Sequence, residues 1–287
     1  MPELPEVETM RRGIAAIVGS VITAAGRTPC LRKPILVQPA PKRLQQRVLG
    51  QKVLGVERIG KRVVIQLESG DALIFEPRMT GLVLVADPPT TEHLRFRLEF
   101  SGGPISQVWY WDRRGLGSVR LLSSQQLTRR LRGDALGPDA LILTADDLQQ
   151  RLARSRRAIK AALLDQRAVA GVGNLYASEI LHLAKIHPAK RCDLLKPDQW
   201  REIHARMREV LLLAIQHEGS TLSDGTYRNA LNQSGGYQNL HRVYDRAGQR
   251  CQQCAAAGRE SLIQRIVQTQ RATFFCSRCQ TKRKIRE

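Results

Sequence analysis

The sequence has no apolar run long enough to cross a membrane. None of its hydrophobic stretches approaches the roughly 18 consecutive apolar residues of a membrane-spanning helix, and no basic-then-apolar pattern typical of a secretion signal opens the chain. Internal repeats and low-complexity tracts are also absent. These absences predict a cytoplasmic protein without a membrane partner, in a compartment where thiols stay reduced.

Acidic residues are few relative to basic ones. The 287 residues include 46 lysines and arginines against 26 aspartates and glutamates, which gives a net charge of +20. A surplus of this size favours a polyanionic partner, because clustered basic side chains attract phosphates. A basic surface that only aids solubility is the alternative. We favour nucleic acid and expect the protein to be associated with the nucleoid.

Cysteine is also scarce, and its six copies are unevenly placed. Cys30 and Cys192 stand alone, and we expect neither to carry chemistry. The other four form two Cys-x-x-Cys pairs separated by 21 residues, namely Cys251 with Cys254 and Cys276 with Cys279. In a reducing compartment this spacing predicts one structural Zn²⁺, held by four thiolates in a closed tetrahedral site. A redox-active disulfide pair is the alternative.

Two strand-like segments lie between the two cysteine pairs, at 263–269 and 272–275. They predict a hairpin, so residues 241–287 are expected to form a zinc ribbon that folds as the metal binds. Arg271 would lie at the tip of this hairpin, where its side chain can reach a phosphate.

Strand patterns precede helical ones along the rest of the chain. Residues 1–122 combine a leading helix with several short strands separated by turns, which is typical of a β-sandwich or barrel. The leading helix has an apolar stripe of Val7, Met10, Ile14, Ile17 and Val18. The strands are predicted at 53–58, 63–67, 72–75, 82–86, 94–100, 107–111 and 118–122.

A linker at 123–144 and a helical domain at 145–240 complete the expected organisation. Helical periodicity predicts helices at 145–154, 158–164, 175–184 and 198–217, followed by a long polar loop at 220–239. The predicted fold class is therefore α+β and multidomain, with an N-terminal β-sandwich, a helical domain and a C-terminal ribbon.

The opening residues carry a candidate nucleophile. If Met1 is trimmed, as is usual before a small residue such as proline, Pro2 becomes a free secondary amine. An α-amino group titrates near about 8, so much of it is unprotonated at neutral pH and can form a Schiff base with a sugar carbon. Glu3 can transfer the protons that this chemistry needs. Alternatively, these residues and the following Pro5 and Glu6 serve only to start a helix.

Short motifs are spread over nearly the whole chain: PELPEVE at 2–8, GKR at 60–62, RMTG at 78–81, DRRGLG at 112–117, AGVGNLYASE at 170–179 and QRATFFCSRCQ at 270–280. Together they resemble the bacterial formamidopyrimidine-DNA glycosylase family, which removes oxidised purines from DNA. The endonuclease VIII type of the same family usually opens with PEGPE, so Leu4 favours the first branch. The resemblance implies the family's β-sandwich, its helix–two-turns–helix element and its zinc ribbon.

The resemblance also implies an activity. The expected protein is a monomeric, bifunctional DNA glycosylase and abasic-site lyase, which acts in base-excision repair on 8-oxoguanine and formamidopyrimidines in damaged double-stranded DNA. By this resemblance Pro2 forms the Schiff base and Glu3 transfers protons. Lys61 and Arg271 would lie near the phosphates during β,δ-elimination. The loop at 220–239 would contact the lesion.

DNA contacts follow from the same resemblance. An enzyme that acts on a base must extrude the nucleotide and fill the vacated space, and Met79 and Leu116 are the implied wedges. Arg114 would recognise the partner base, usually cytosine. The remaining implied roles are DNA contacts for His93, Lys160 and Asn174, with Asn174 also suited to a helix N-cap, and supporting roles for Glu6 and Glu179.

This chain departs from the family pattern at two places. Leu116 stands where the family commonly has phenylalanine, and leucine stacks less well on a base. The spacer between the cysteine pairs is longer than usual by about five residues, and the extra length, at 255–259, is expected to enlarge the turn behind the metal.

Two other functions remain open. One is an endonuclease VIII-type glycosylase that acts on oxidised pyrimidines. The other is a zinc-ribbon DNA-binding protein without catalysis, whose charge and cysteines would look the same.

Overall fold

The computed structural model describes residues 2–132 and 135–281. They form two compact units. The first contains the described residues up to Ala135 together with Ala214–Gln238, and the second contains Leu136–Leu213 and the described residues from Asn239 onward. Among the residues described, no helix combines the length and apolar character that a membrane span requires.

The first unit is a β-sandwich with a leading helix, α1 (Leu4–Gly13), as predicted. A four-stranded sheet has the order β1-β7-β8-β6, and a five-stranded sheet has the order β2-β9-β5-β4-β3. The strands are β1 (Val21–Gly26), β2 (Leu36–Gln38), β3 (Val53–Ile59), β4 (Arg62–Leu67), β5 (Ala72–Glu76), β6 (Gly81–Leu84), β7 (Leu94–Ser101), β8 (Gln107–Asp112) and β9 (Ser118–Leu122). All seven predicted strands are confirmed to within two residues.

Alternating side chains build the core between the two sheets. In β7, Phe96 and Leu98 are fully buried, whereas Arg97 between them faces solvent. The ring of Phe75 on β5 meets Phe96 edge-on, with centroids 6.2 Å apart. Tyr110 on β8 lies 5.5 Å from the same ring. Because these aromatic rings come from both sheets, they fix the sheets face to face.

Two strands and one α-helix that precede β3 were not predicted, and one prediction about α1 was wrong. The unpredicted elements are β1, β2 and the helix α2 (Pro41–Val48). The expected apolar stripe holds for Val7, Met10, Ile14 and Ile17, but Val18 is 48% exposed. The α-helix ends at Gly13, and the tighter 3₁₀ turn Ala15–Ile17 changes the periodicity before Val18 is reached.

The stretch expected to be a linker contains a short helix, α3 (Ser124–Leu127), and a π-helical turn at Thr128–Arg132. The four helices predicted after this stretch are confirmed as α4 (Ala145–Leu152), α5 (Ile159–Leu163), α6 (Asn174–Leu183) and α7 (Pro197–Gln216). The connection from α5 to α6 includes Gly171, whose φ of +107° suits glycine.

The C-terminal ribbon pairs β10 (Ile263–Gln268) with β11 (Arg271–Cys276) in antiparallel register. Thr269 and Gln270 make the two-residue turn, with φ of 47° and 61°. Positive φ at both positions is the type I′ geometry that matches strand twist. Near the first cysteine pair, part of the additional spacer lies in the short helix α8 (Gln252–Ala256), and Gly258, with φ of +65°, follows it.

Candidate functional site

Two carboxylates surround the start of α1 in the first unit. Pro2 is buried, and Glu3 and Glu6 are each only 2% exposed. Glu6 Oε2 accepts a hydrogen bond of 2.8 Å from the Glu3 N–H, which fixes the first turn of α1 in a capping-box arrangement. The Glu6 Oε1 atom accepts a second bond, of 2.9 Å, from the Ser220 N–H. Glu6 therefore joins the N-terminal residues to the start of the polar loop.

The polar loop is also packed closely against α1. Gly219 has a φ of +79°, and a Cβ at this position would lie 2.8 Å from Glu6 Oε1. Further along, a Cβ on Gly13 of α1 would lie 2.1 Å from the Cβ of Ala230. Two glycines thus allow the loop to approach the helix at both ends of this contact.

Lys61 lies in the turn between β3 and β4, and both strands pack against α1. The end of β3 is tied to the helix by Arg58, whose Nε lies 3.3 Å from Glu8 Oε2. Burial raises the pKa of Glu8, but hydrogen bonds from Arg11 and Arg12 outweigh this effect and lower the pKa below its ordinary value. Glu8 is therefore a charged anchor that holds the strand pair beside the N-terminal helix.

Two loops carry the proposed wedge residues on partly exposed side chains. Met79 is 38% exposed, Leu116 is 44% exposed, and Arg114 faces solvent. The loops are joined beneath these tips, because Thr80 Oγ1 donates to Asp112 Oδ1 at 2.5 Å and accepts from the Arg114 N–H at 3.0 Å. The structure therefore brings the three predicted residues together on one pair of connected loops.

His93 borders the same region at the start of β7. Its Nε2 lies 2.8 Å from Glu92 Oε1, and its ring meets Trp111 edge-on at 5.4 Å. Burial and the charge of Arg95 lower the pKa of His93, against an opposing effect of Glu92. The lowered pKa favours the neutral form of the ring. The His93 carbonyl accepts from the Asp112 N–H at 2.9 Å, which links this residue to the wedge loops.

Lys160 and Asn174 in the second unit converge on the ribbon. Lys160 is 1% exposed, and its Nζ donates to Thr273 Oγ1 at 2.8 Å and to the Ala272 carbonyl at 3.2 Å. Asn174 Nδ2 donates to the same carbonyl at 3.0 Å. These contacts hold the strand immediately after Arg271, whose own side chain is exposed.

The expectation that Asn174 caps α6 was wrong. The N-cap is Gly173, and Asn174 is the first residue of the helix. Its amide nitrogen is bound to the ribbon, so the side chain does not fold back onto the helix N–H groups. Its Oδ1 atom has no hydrogen-bond partner within the described ranges.

Glu179 on α6 is fully buried and organises a turn in the second unit. Its two oxygens accept backbone N–H bonds from Arg242 at 2.9 Å, Val243 at 2.9 Å and Tyr244 at 2.8 Å. Burial raises the pKa of Glu179, although the three N–H donors and Arg242 oppose that shift. Glu179 therefore acts within the protein as a support for the segment that enters the ribbon.

The four paired cysteines meet at the base of the ribbon. Their sulfur atoms all lie within 4.8 Å of one another, and three of the pairs are separated by 3.3–3.7 Å. Tetrahedral thiolates bonded to zinc at about 2.3 Å would have sulfurs about 3.8 Å apart, so the donor set fits such an ion. His182 Nε2 lies 3.5 Å from Cys251 Sγ, and burial lowers the pKa of this histidine to about 4.

Sequence reasoning missed Asp112, Thr80 and Ser220, which hold the candidate site without presenting an exposed side chain to it. One signal was available for Asp112, since a carboxylate directly after the apolar run of β8 needs local hydrogen-bond donors. Ser220 offered no such signal, because its contact is made through the backbone.

Comparison with known proteins identifies the family. The description "Formamidopyrimidine-DNA glycosylase N-terminal domain" matches residues 1–119, and "Formamidopyrimidine-DNA glycosylase H2TH domain" matches residues 136–226. The chain is 39% identical to a formamidopyrimidine-DNA glycosylase of Chloroflexus aurantiacus over 98% of both chains. It is 36% identical to one of Cereibacter sphaeroides, over 98% of this chain and 100% of the relative.

Solved structures agree with this match. A Lactococcus lactis Fpg mutant in complex with Fapy-dG-containing DNA superposes with a TM-score of 0.86 at 33% identity, covering 98% of this chain and 100% of that chain. A second Lactococcus lactis Fpg complex, with abasic-site DNA, has a TM-score of 0.84 at 33% identity and the same coverage. Similarity of this extent over nearly the whole length means that the chain belongs to the formamidopyrimidine-DNA glycosylase family of base-excision-repair enzymes.

Proposed function

We propose that this protein removes oxidised purines, namely 8-oxoguanine and formamidopyrimidines, from duplex DNA and then cleaves the strand at the abasic site. The observation that carries the proposal is the buried arrangement of Pro2, Glu3 and Glu6 at the start of α1. A terminal residue held in this way is ordered, whereas free chain ends usually fray. Its supporting context is membership of a family of DNA glycosylases, together with the net charge of +20.

The proposed chemistry begins at the Pro2 nitrogen. Removal of Met1, which lies outside the described residues, would free this secondary amine for attack on the deoxyribose C1′ atom. The C1′–base bond breaks, the base leaves with its bonding electrons and gains a proton, and the ring opens to a Schiff base. Glu3 protonates the ring oxygen as it leaves C1′. Successive loss of protons from the sugar then expels the 3′ and 5′ phosphates.

Side chains of both units contribute DNA contacts in this proposal. Met79 and Leu116 fill the space left by the extruded nucleotide, and Arg114 donates to the partner base. Their exposure supports these roles, since each can reach a ligand without unfolding. Phosphate or DNA-backbone contacts are proposed for Lys61, His93, Asn174 and Arg271.

Lys160 contributes indirectly in this proposal. Its ammonium is buried and bound to Thr273 and to the Ala272 carbonyl. These bonds support a role in holding the ribbon strand that begins at Arg271. Glu6 and Glu179 are likewise proposed to support the site through backbone contacts, to Ser220 and to the turn after residue 241 respectively.

Zinc is the proposed metal of the ribbon. The four thiolates would hold one Zn²⁺ with no open coordination position. The ion would then supply folding free energy to the ribbon and no Lewis-acid chemistry.

Reductive trapping tests the nucleophile. The enzyme is incubated with duplex DNA carrying 8-oxoguanine and treated with borohydride, and the modified peptide is identified by mass spectrometry. We expect the adduct on the Pro2 nitrogen, and a sharp loss of adduct in Pro2→Gly but not in Pro5→Ala. Glu3→Gln should slow the ring opening that forms the Schiff base by about 100-fold or more, the usual size of a lost proton-transfer group. An adduct located on a residue other than the N-terminal one, or Met1 still attached in active enzyme, would refute the mechanism.

Substrate choice is tested separately on matched duplexes that carry either 8-oxoguanine or thymine glycol. Faster release of 8-oxoguanine is the expected result. Faster release of the oxidised pyrimidine would instead assign the endonuclease VIII type of activity. Binding of both duplexes with no release from either would indicate a DNA-binding protein without catalysis.

A further inference from the structure

We infer that Asp112 and Thr80 are positioning residues, which lock the Met79 loop and the Arg114–Leu116 loop into a single arrangement and thereby set the choice of partner base. The inference rests on the proposed function, because it assumes that Arg114 recognises the base opposite the lesion. Buried residues of the first unit would then determine how selectively Arg114 recognises the partner base.

Asp112 is the centre of the arrangement. Its side chain is fully buried, and its oxygens are directed to both ends of the loop that follows β8. Oδ1 accepts from the Arg114 N–H at 3.2 Å, and Oδ2 accepts from the Gly117 N–H at 2.8 Å. One carboxylate therefore closes the loop around Leu116. A buried carboxylate is stable only when donors compensate its charge, so these bonds resist rearrangement.

Thr80 joins the second loop to this carboxylate. Its hydroxyl donates to Asp112 Oδ1 at 2.5 Å and accepts from the Arg114 N–H at 3.0 Å. Thr80 directly follows Met79 and is only 6% exposed. The hydroxyl thus fixes the backbone beside one wedge to the backbone of the base-recognising arginine.

Tyr110 supports both loops from below. Its hydroxyl donates to the Glu76 carbonyl at 2.9 Å. A Cβ on Gly81, which ends the Met79 loop, would lie 2.5 Å from this hydroxyl, and a Cβ on Gly117 would lie 1.8 Å from it. Each loop therefore ends at a glycine that lies directly against the buried Tyr110 hydroxyl, where a larger residue would not fit.

The backbone of Asp112 is fixed as firmly as its side chain. Its N–H donates to the His93 carbonyl at 2.9 Å, and its carbonyl accepts from Arg95 Nε at 2.8 Å. Four sets of contacts therefore fix the two loops: those of the Asp112 carboxylate, the Thr80 hydroxyl, the Tyr110 hydroxyl and the Asp112 backbone. The side chains that would meet DNA are exposed, whereas the groups that position them are buried, as a geometry-dependent recognition site requires.

The test measures kcat/KM for excision of 8-oxoguanine opposite cytosine and opposite adenine, and compares the ratio between variants. Thr80→Val keeps the shape of the side chain but removes the shared hydroxyl. We expect its cytosine-to-adenine ratio to fall by about ten-fold, the loss expected when one base contact is misplaced. Thr80→Ser restores the hydroxyl and should restore the ratio. Thr144→Val, which removes the N-cap hydroxyl of α4, is a matched loss of a threonine hydroxyl in the second unit.

A double-mutant cycle with Arg114→Ala separates positioning from general destabilisation. If Thr80 acts through Arg114, Thr80→Val should change the ratio little once the guanidinium is gone. Asp112→Asn gives a second route to the same measurement if Thr80→Val does not fold. An unchanged ratio in Thr80→Val, an equal fall in Thr144→Val, or no preference in the wild type would overturn the inference. Borohydride trapping by the wild type is checked first, because its failure would refute the proposed function instead.

Discussion

Glu6 and Ser220 are 214 positions apart in sequence, yet Glu6 Oε1 accepts the Ser220 N–H at 2.9 Å. The other oxygen of the same carboxylate accepts the Glu3 N–H at 2.8 Å. A single buried side chain therefore couples the proposed catalytic terminus to the loop proposed to contact the lesion. Replacing this carboxylate should therefore alter both the first turn of α1 and the start of the polar loop.

Glu6→Gln should weaken this coupling. The glutamine oxygen could still accept one of the two N–H groups, but the new NH2 group would face the other and leave it without an acceptor, which costs about 1–3 kcal/mol in the free energy of unfolding. Urea denaturation measures the loss, and hydrogen exchange should become faster at the Glu3 or the Ser220 amide. Glu202→Gln, at a side chain 43% exposed on α7, serves as the control and should change neither quantity. Unaltered exchange at both the Glu3 and the Ser220 amides in Glu6→Gln would contradict the coupling.

Two glycines, one directly before the polar loop and one within it, give a matched pair of substitutions. Gly219 and Gly225 both have positive φ, but only Gly219 is crowded: a Cβ there would lie 2.8 Å from Glu6 Oε1, whereas a Cβ on Gly225 would have no atom of the described residues within 4 Å. Gly225→Ala should cost about 1–2 kcal/mol, from the left-handed backbone alone. Gly219→Ala should cost more and also slow base excision, because it displaces Glu6. Equal unfolding free energies for the two variants would mean that the contact with Glu6 does not constrain the loop.

The helices and strands that could be predicted are those with a clear hydrophobic pattern in their own sequence. Strand β7 was recognised by its alternation of buried and exposed side chains, whereas β5 and β6 are buried at nearly every position and were recognised as short apolar runs between turn residues. Helix α7 was recognised by its 3.6-residue periodicity, which places Trp200, Ile203 and Met207 on one buried face. By contrast, β1 contains two alanines and a glycine, and it is a strand because β7 pairs with it from Val21 to Gly26. The three residues of β2 are too few to give a pattern, and their pairing with β9 is parallel and non-local.

The same distinction applies to the candidate site. Pro2, Glu3 and the four cysteines were found because position or spacing marks them in the sequence. The bonds of Glu6 with Ser220 and of Thr80 with Asp112 join residues far apart in the chain, and no local signal announces such pairs. The family resemblance implied that Lys160 contacts DNA, but its side chain is buried, and the polar groups of β11 provide the partners that allow this burial.

Metal analysis tests the ribbon. We expect about one zinc per chain in the purified protein, and loss of that zinc in Cys254→Ser, since a structural site needs all four thiolates. Chelation or Cys254→Ser should also expose β10 and β11 to proteolysis, because the metal contributes to folding of the ribbon. Cys30→Ser is the control, since Cys30 lies outside the cluster. Full zinc content in Cys254→Ser, or none in the wild type, would exclude the proposed site.

His241 is a buried titratable residue, 7% exposed, and its ring lies edge-on to Tyr244 at 5.8 Å. Burial and the nearby Arg246 lower the pKa of His241 from 6.5 to about 4, against a backbone hydrogen bond with Tyr244 that raises it. The unfolded chain therefore binds a proton between pH 6.5 and 4 that the folded chain does not. The contribution of His241 to the free energy of unfolding is fully present above pH 6.5. It is lost as the pH falls toward 4, and the loss amounts to about 3 kcal/mol. His241→Gln cannot titrate, so its free energy of unfolding should decline less than that of the wild type between pH 7 and pH 4.5. Parallel pH profiles for the two proteins would show that the pKa of His241 is the same in the folded and the unfolded chain.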